Sequence, residues 1–363
     1  MKHLLTITLL ALFVQPTTLP AQPGPADAAA TPSTRQLYAR LQALRQRGIM
    51  FGHQDDMAYG VGWKYIHNRS DVKDACGQWP AMYGWDLGHL ELGSPHNLDS
   101  VPFDSMRAYI RTVHERGGVN SISWHSNNPV SGGSTWDTSL AVTAILPGGS
   151  SHAAYTAWLD KVAAFMGSLR AADSSLIPVI FRPFHEHTGS WFWWGQRHCT
   201  TTEFRTLWQF TVNYLGAVKQ VHNLLYAYSA ADFSDAARYL ERYPGDAFVD
   251  IIGFDLYQYG SAAQYRQQLE QRLQVLAQVA AAHHKIPALT ETGLERIPEP
   301  NWWTQTLLPA LQPYPLSYVL VWRNGRPDHY YAPFPGQASA ADFKKFRADK
   351  RTLFLPDLQP KKQ

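Results

Sequence analysis

Two glutamates stand at the ends of apolar segments, where a carboxylate needs a reason to be present. Glu186 closes the segment 176–185, and Glu291 closes the segment 286–290. Removing an ionised carboxylate from water is costly, so such a group belongs at a strand end only where a partner or a substrate awaits it. The aromatic-rich segment 188–195 follows Glu186 directly and is of a kind that stacks on sugar rings. Paired carboxylates beside aromatic rings predict the cleavage of a glycosidic bond.

The elements that must position these carboxylates alternate along the chain. Short β-branched or aromatic segments alternate with longer segments of helical periodicity, which is typical of repeated βα units. Strands are predicted at residues 48–55, 80–87, 118–126, 177–186, 224–229, 249–257, 287–292 and 317–324. Helices are predicted at 105–116, 152–171, 201–221, 265–283, 302–311 and 342–347. Eight such units predict an α/β fold with a single (β/α)8 TIM barrel.

A doubly wound open sheet is the alternative fold. It would call for a glycine-rich phosphate-binding turn after the first strand, and the residues at 51–56, Phe-Gly-His-Gln-Asp-Asp, do not form one. In a barrel, catalytic groups gather at the C-terminal ends of the strands. Seven of the eight predicted ends carry polar or aromatic residues, at 53–55, 85–86, 124–128, 185–186, 255–257, 291 and 322–324.

Each glutamate also has a structural interpretation. Glu186 could pair with Arg182, four residues earlier, because strand residues at that spacing share a face. Glu291 could cap the helix that follows it. The aromatic segment could be core, although four consecutive rings at 191–194 cannot all point inward, so at least one is expected to be exposed. A Ser-His-Asp hydrolase is disfavoured because no Gly-x-Ser-x-Gly motif occurs.

The histidines raise the possibility of a metal site. The candidate ligands lie at several predicted strand ends, at His53, His89, His125, His185 and His187. Zinc sites need three or four ligands in a consistent geometry, and the 15 histidines in the chain make chance pairs common. We therefore predict that the protein uses no metal and no cofactor.

The composition favours a neutral ligand. The net charge of +3 is too small for a nucleic-acid-binding surface, whereas 13 Trp and 18 Tyr with 17% charged residues indicate a hydrated aromatic surface. The two cysteines, Cys76 and Cys199, are placed at opposite ends of the predicted barrel. In an oxidising compartment they could pair, but cysteines so far apart cannot be bridged, so two free thiols are predicted.

The first residues are typical of an export signal. Lys2 gives a positive start, residues 4–14 are apolar, and small and proline-rich residues follow to Ala21. We predict a signal peptide at 1–21, a flexible lead-in at 22–33, and a catalytic domain at 34–363. The apolar segment is too short for a permanent membrane anchor. The expectation is therefore an exported protein, periplasmic or secreted, that acts as a monomer.

Four motifs, at residues 51–56, 182–186, 254–257 and 291–293, resemble the family 26 glycoside hydrolases, which are chiefly β-mannanases. That family belongs to a large clan of (β/α)8 enzymes with catalytic glutamates on strands four and seven. Most families of the clan carry Asn directly before the acid/base glutamate. His185 in that position is distinctive of family 26.

The resemblance implies a double-displacement mechanism that retains the anomeric configuration. Glu186 matches the acid/base and Glu291 the nucleophile, whose negative charge is expected to raise the pKa of Glu186. The other matches are His185 as support for the acid/base, Tyr257 as hydrogen-bond donor to the nucleophile, Trp191, Trp322 and Trp136 as sugar-contacting rings, His125 as a binding residue, and Arg323 and Asn324 at a subsite beyond the cleavage point.

The substrate implied by the resemblance is a β-1,4-linked mannan, galactomannan or glucomannan, cleaved either internally or with release of mannobiose from an end. Family 26 also contains enzymes that act on mixed-linkage β-glucan or on β-xylan, so these remain alternatives. A catalytically inactive, carbohydrate-binding barrel is the alternative from another class. It would explain the export signal and the aromatic residues, but not two carboxylates at the ends of strands four and seven.

Overall fold

The computed structural model describes residues 24–359. The predicted signal peptide at 1–21 lies outside these residues. Eight parallel strands form the centre of the fold and are numbered here in chain order: β1 Ile49–Gln54, β2 Met82–Asp86, β3 Val119–Trp124, β4 Val179–Pro183, β5 Leu224–Ala230, β6 Ile251–Tyr257, β7 Ile286–Gly293 and β8 Tyr318–Val321.

The eight strands close into a barrel. Each strand pairs in parallel with the next, and β1 also pairs with β8, from Met50 opposite Tyr318 to His53 opposite Val321. The predicted (β/α)8 barrel is confirmed. The largest difference from the predicted strands concerns β4, which ends at Pro183, three residues before Glu186.

Helices cover the outside of the barrel. In chain order they are α1 Pro32–Leu44, α2 Asp71–Cys76, α3 Phe103–Glu115, α4 Val142–Ile145, α5 His152–Ser168, α6 Thr201–Asn213, α7 Ala236–Leu240, α8 Ala262–His283, α9 Leu308–Leu311 and α10 Ala340–Ala348. The helix predicted at 201–221 continues beyond α6 as the π-helical segment Tyr214–Val218, and α9 is preceded by a second one, Trp302–Leu307.

Helix α1 was not predicted, and it closes one end of the barrel. The side chain of Thr31 accepts a hydrogen bond from the backbone N–H of Thr34 and caps the helix. Leu37 and Leu41 then pack with Met50 and other interior residues of the strands. Because α1 covers the N-terminal ends of the strands, the opposite, C-terminal mouth is where a ligand can enter.

The predicted lead-in is partly in contact with the barrel. The backbone N–H of Ala26 donates to Oδ1 of Asp250, and Asp27 contacts the ring of His222. Cys76 and Cys199 are both free thiols, as predicted. None of the helices within 24–359 is long and apolar enough to cross a membrane.

Candidate active site

The nine predicted site residues all lie in the last three residues of a barrel strand or in the loop that follows it. They are His125 and Trp136 after β3, His185, Glu186 and Trp191 after β4, Tyr257 in β6, Glu291 in β7, and Trp322 and Arg323 after β8. The C-terminal mouth therefore brings together residues that are far apart in the sequence.

A strained turn places Glu186. Phe184 and Glu186 have φ values of 50° and 53°, in the left-handed region that non-glycine residues rarely adopt. The turn is held because the backbone N–H of Glu186 donates to the carbonyl of Ser229 at 3.0 Å. Phe184 is also buried against the rings of Trp193 and Trp194. Glu186 is thus held in a half-buried position beyond the end of β4.

Glu291 faces the barrel interior because β7 contains an extra residue. Phe254 of β6 lies opposite Leu289, but the next residue, Asp255, lies opposite Glu291, which leaves Thr290 as a β-bulge. Side chains alternate between the two faces of a strand, so without the bulge Glu291 would share the outward face of Leu289. The bulge turns the carboxylate towards Arg182, inside the barrel.

Arg182 joins two carboxylates beneath the mouth. Its guanidinium is buried and donates to Oδ2 of Asp255 at 2.8 Å, to Oγ of Ser229 at 3.1 Å, and to Oε1 of Glu291. Burial works against the charge, but the two carboxylates raise the pKa of Arg182 overall. The alternative in which Arg182 pairs with Glu186 is wrong, because these contacts go to other carboxylates.

The carboxylates lie close to one another. One oxygen each of Glu186, Asp255 and Glu291 lies within 4.8 Å of the other two. Retaining glycosidases hold two carboxyl groups about 5–5.5 Å apart, whereas inverting enzymes separate them by about 6.5–9.5 Å to leave room for a water. This proximity of the oxygens favours direct attack by a carboxylate.

Glu186 is prepared to hold a proton near neutral pH. Burial and, to a smaller extent, the charge of Glu291 raise its pKa to about 7, while the Trp191 side chain and the Arg182 charge act against that rise. The sequence predicted the contribution of Glu291, but burial is the larger cause. A carboxylic acid with this pKa can act as a general acid at neutral pH.

Both oxygens of Glu291 are fixed by hydrogen bonds. The Tyr257 hydroxyl donates to Oε2 at 2.7 Å, and Arg182 donates to Oε1. Charge-assisted bonds of this kind are among the stronger ones in proteins. They fix the orientation of the carboxylate relative to Glu186.

A chain of polar side chains leads from His185 to the last residue of β2. Nε2 of His185 lies 3.0 Å from Nε2 of His125, whose Nδ1 lies 2.7 Å from Oδ2 of Asp86. Burial and the Arg182 charge lower the pKa of His185 well below its ordinary value, so its ring is neutral. One proton lies between the two Nε2 atoms and joins the rings. His185 contacts His125 through this bond, and the described contacts of its ring include no hydrogen bond to Glu186.

Aromatic rings surround His125. The ring centroid of Trp136 lies 5.9 Å from that of His125 in a stacked arrangement, and Trp322 lies 6.2 Å away edge-on. Trp136 is 53% exposed and Trp191 is 44% exposed, whereas the rings of residues 192–194 are buried. The aromatic segment is thus mostly core, with one ring at the surface, as the argument about four consecutive rings requires.

The two residues after Trp322 differ in their surroundings. Arg323 is partly exposed and forms an ion pair with Asp99 at 3.0 Å, so it lies between the loops after β2 and β8. Asn324 is buried. Its amide donates to Asp71 and to the carbonyl of Ala332, so it holds the loop together from inside.

The histidines do not assemble into a metal site within residues 24–359. His53 is buried against Asp56, and His187 lies between the rings of Phe204 and Tyr228. In the described part of the chain, the one group of three potential ligands is Glu186, Asp255 and Glu291. The guanidinium of Arg182 already supplies a positive charge to two of them.

Sequence reasoning did not identify three groups as members of this site. Arg182 was considered only as a partner of Glu186, and Asp86 and Asp255 only as polar residues at strand ends. Each is a buried charged residue within or directly after an apolar strand. That signal is available in the sequence, because a charge in such a place requires a partner. It does not say which partner.

Comparisons with known proteins identify the family. The model of glycosyl hydrolase family 26 matches residues 26–305. A GH26 beta-mannanase from Bacteroides ovatus has a similar structure, with a TM-score of 0.88 and 49% identity over 90% of this chain and 96% of that one. A modular endo-beta-1,4-mannanase from Cellulomonas fimi is similar with a TM-score of 0.84 and 37% identity, over 92% and 78%.

A curated relative agrees as well. The mannan endo-1,4-beta-mannosidase of Bifidobacterium adolescentis is 31% identical over 352 residues, which cover 90% of this chain and 35% of the relative. This chain therefore spans about a third of that relative's length. The family model and the Bacteroides structure extend over most of the described residues. From its sequence and its structure, the chain belongs to glycosyl hydrolase family 26.

Proposed function

We propose that the protein is a retaining mannan endo-1,4-β-mannosidase. The observation that carries this proposal is the position of the Glu186 and Glu291 carboxylates, which lie within 4.8 Å of each other on segments after β4 and in β7. This separation supports net retention. The names of the Bacteroides, Cellulomonas and Bifidobacterium relatives support mannan as the substrate.

In the first step, the proton on Glu186 passes to the glycosidic oxygen while Glu291 attacks the anomeric carbon. The bond to the leaving sugar breaks, and a covalent glycosyl-enzyme forms. In the second step, Glu186 takes a proton from water, which attacks the anomeric carbon and releases Glu291. Tyr257 and Arg182 orient Glu291 throughout, since each is bonded to one of its oxygens.

A neutral sugar is held by rings and hydrogen bonds rather than by charge. Trp136 and Trp191 are exposed, Trp191 is bonded to Glu186, and the ring of His125 lies next to those of Trp136 and Trp322. His185 supports this wall through its bond to His125. Arg323 lies further along the mouth, where it can donate to a sugar hydroxyl while it is paired with Asp99.

The test is product analysis. The purified protein is incubated with galactomannan, glucomannan, lichenan and xylan, and the products are separated by size. Release of manno-oligosaccharides from the first two is the expected result. Activity on lichenan or xylan alone would indicate one of the alternative substrates, and binding without cleavage would indicate an inactive barrel.

The stereochemistry is tested in the same reaction. A proton NMR time course should detect the β-anomer first, because double displacement retains the configuration. A first product in the α-configuration would overturn the double-displacement mechanism even if mannan is the substrate.

We also propose that the protein acts outside the cytoplasm as a monomer. The support for export is the pattern of Lys2 and the apolar residues at 4–14, together with a polymeric substrate that does not cross membranes. N-terminal sequencing of protein recovered from the periplasm or medium should give a start near residue 22. Light scattering should give the mass of one chain.

A further inference from the structure

Asp255 is the third carboxylate of the site, and the mechanism does not use it. It is buried, and its Oδ2 accepts from Arg182 at 2.8 Å. Its other oxygen, Oδ1, lies 2.6 Å from Oγ1 of Thr290, the residue that forms the bulge in β7. Glu186 and Glu291 lie within 4.8 Å of it.

The hydroxyl of Thr290 lies within hydrogen-bond distance of two acceptor oxygens. Its Oγ1 lies 2.9 Å from the carbonyl oxygen of Phe254 and 2.6 Å from Oδ1 of Asp255. A hydroxyl has one proton to donate, and neither a carbonyl nor a carboxylate has any. If the Thr290 proton goes to Phe254, the proton in the shorter contact must come from Asp255.

The charges in the site lead to the same assignment. Among residues 24–359, Arg182 is the one guanidinium or ammonium group that is hydrogen-bonded to any of these three carboxylates, and its partners are Asp255 and Glu291. One positive charge balances one carboxylate, and an additional buried charge without a partner costs several kcal/mol. If Glu186 and Asp255 are neutral in the resting site, Glu291 and Arg182 balance each other.

The balance also holds during the reaction. In the glycosyl-enzyme, Glu291 is an ester without charge, and Glu186 has given up its proton. Arg182 then balances Glu186, provided that Asp255 remains neutral. An ionised Asp255 would leave an uncompensated negative charge in both states.

We propose that Asp255 is a neutral carboxylic acid that donates its proton to Thr290 and thereby leaves the charge of Arg182 to the reacting glutamates. This role rests on the proposed function. Asp255 is a positioning residue, because it acts through Arg182 and the bulge and not on the sugar. Burial, foremost, together with the charges of Glu291 and Glu186, raises its pKa, while Arg182 and Thr290 act against the rise.

Several elements direct titratable groups towards Asp255. They are Arg182 and Glu186 from the β4 segment, Tyr257 from its own strand, Glu291 from β7, Tyr318 from β8 and Tyr239 from α7. Only Arg182 carries a positive charge. The tyrosines have pKa values raised by burial, so they remain neutral across the working range.

The direct test is infrared difference spectroscopy on the whole protein at pH 6. Asp255→Asn has the shape of the protonated acid, so the spectrum of the natural protein minus that of this variant should contain the carbonyl band of one protonated carboxyl group. Asp86→Asn is the matched control. Asp86 is equally buried, but its bonds to His125 and Ser123 lower its pKa, so no such band should be lost.

A second variant covers the case in which Asp255→Asn does not fold. Thr290→Val keeps the shape of the side chain and removes the acceptor, so the band of Asp255 should change frequency without disappearing. Absence of the protonated band from both comparisons overturns the proposal.

The pH profile of kcat/KM gives a readout in the working enzyme. The basic limb reports the loss of the Glu186 proton. If Asp255 is neutral, Asp255→Asn should move that limb by less than about 0.3 pH unit, whatever the height of the profile. If Asp255 is ionised, the variant loses a negative charge within 4.8 Å of Glu186. The basic limb should then move to lower pH by about one unit or more.

The two hypotheses fail in different ways. A protein that cleaves no mannan contradicts the proposed function, but the infrared comparison still determines the state of Asp255. Normal mannanase activity with a basic limb that falls by one unit in Asp255→Asn contradicts the neutral acid alone.

Discussion

The indole nitrogen of Trp191 lies 2.7 Å from Oε2 of Glu186 and donates a hydrogen bond to it. An indole N–H can only donate, so this bond favours the ionised carboxylate and limits how far burial raises the pKa. The same ring is 44% exposed and can stack on a sugar. Trp191 thus has two separable tasks, of which the sequence predicted only the second.

The two tasks of Trp191 are separated by two variants. Trp191→Phe keeps a ring and removes the donor, so we expect the basic limb of kcat/KM to move to higher pH by about half a unit to one unit. Trp191→Ala also removes the stacking surface. It should reduce kcat/KM on manno-oligosaccharides by an amount that corresponds to about 1–3 kcal/mol of lost transition-state stabilisation. The measurement is the pH–rate profile of both variants, and a Phe variant with an unmoved limb would contradict the role of the hydrogen bond.

The two glutamates should differ in their response to the leaving group. Glu186→Gln and Glu291→Gln are each expected to reduce kcat on mannan by at least about 10²–10⁴-fold, since general acid–base catalysis alone contributes that much. An activated aryl mannoside should partly rescue the Glu186 variant, because a good leaving group needs no proton. It should not rescue the Glu291 variant.

Circular dichroism serves as the control for folding in both glutamine variants. Near-normal activity of either variant on mannan would contradict the mechanism. Rescue of both variants by the activated substrate would contradict the assignment of Glu186 as the acid/base and Glu291 as the nucleophile.

The ionisation of Glu186 should make the folded protein less stable as the pH rises. Its pKa is raised to about 7 in the folded protein, against about 4.3 in an unfolded chain. Between these values the folded state binds more protons than the unfolded state, so the free energy of unfolding falls as the pH rises. The effect is absent below about pH 4 and complete above about pH 7.

Glu186→Gln removes this dependence. At pH 8 we expect the free energy of unfolding of the variant to exceed that of the natural protein by about 1–3 kcal/mol. The variant should therefore unfold at a higher temperature. At pH 4 the two proteins should be nearly equal in stability. Calorimetry at the two pH values makes the comparison, and an equal gain at both would attribute the effect to packing instead of to the charge.

The sequence predicted the barrel and the two carboxylates because both follow from local patterns. Strand and helix periodicity mark the eight units, and a charged residue at the end of an apolar strand is visible by itself. The resemblance to family 26 then supplied the pairing of Tyr257 with Glu291, which lie 2.7 Å apart. Helix α1 was not predicted, although residues 34–44 lie between the predicted lead-in and the first predicted strand.

The orientation of Glu291 could not be predicted from the pattern. Alternation along 286–291 places Glu291 on the same face as Leu289, which packs in the outer core. The bulge at Thr290 reverses that orientation, and a bulge depends on the register with β6 and β8. The partners of Arg182 and His185 are likewise set by neighbouring strands, so the sequence reveals a need for a partner without identifying it.

Arg242 holds the loop that carries Trp191. Its guanidinium is buried and donates to the carbonyl oxygens of His187 and Trp194 and to the sulfur of Cys199 at 2.8 Å. It also lies over the ring of Phe204, 4.1 Å from the centroid. These contacts tie both ends of the segment 187–199 to one side chain.

Arg242→Met keeps much of the side-chain length and removes every donor. Two carbonyls then lose a charge-assisted bond within the protein, so we expect the free energy of unfolding to fall by about 2–4 kcal/mol. Arg238→Met is the matched control, because Arg238 lies nearby in an exposed ion pair with Glu241 and should cost less than about 1 kcal/mol. Urea unfolding followed by tryptophan fluorescence measures both.

The loop also links Arg242 to activity. Because residues 187–199 place Trp191 against Glu186, Arg242→Met should raise KM for manno-oligosaccharides and move the basic limb of the pH profile in the same direction as Trp191→Phe. A purely structural arginine would reduce stability without moving that limb. A limb that stays in place, in a variant destabilised as expected, would therefore mean that the loop keeps Trp191 in position without Arg242.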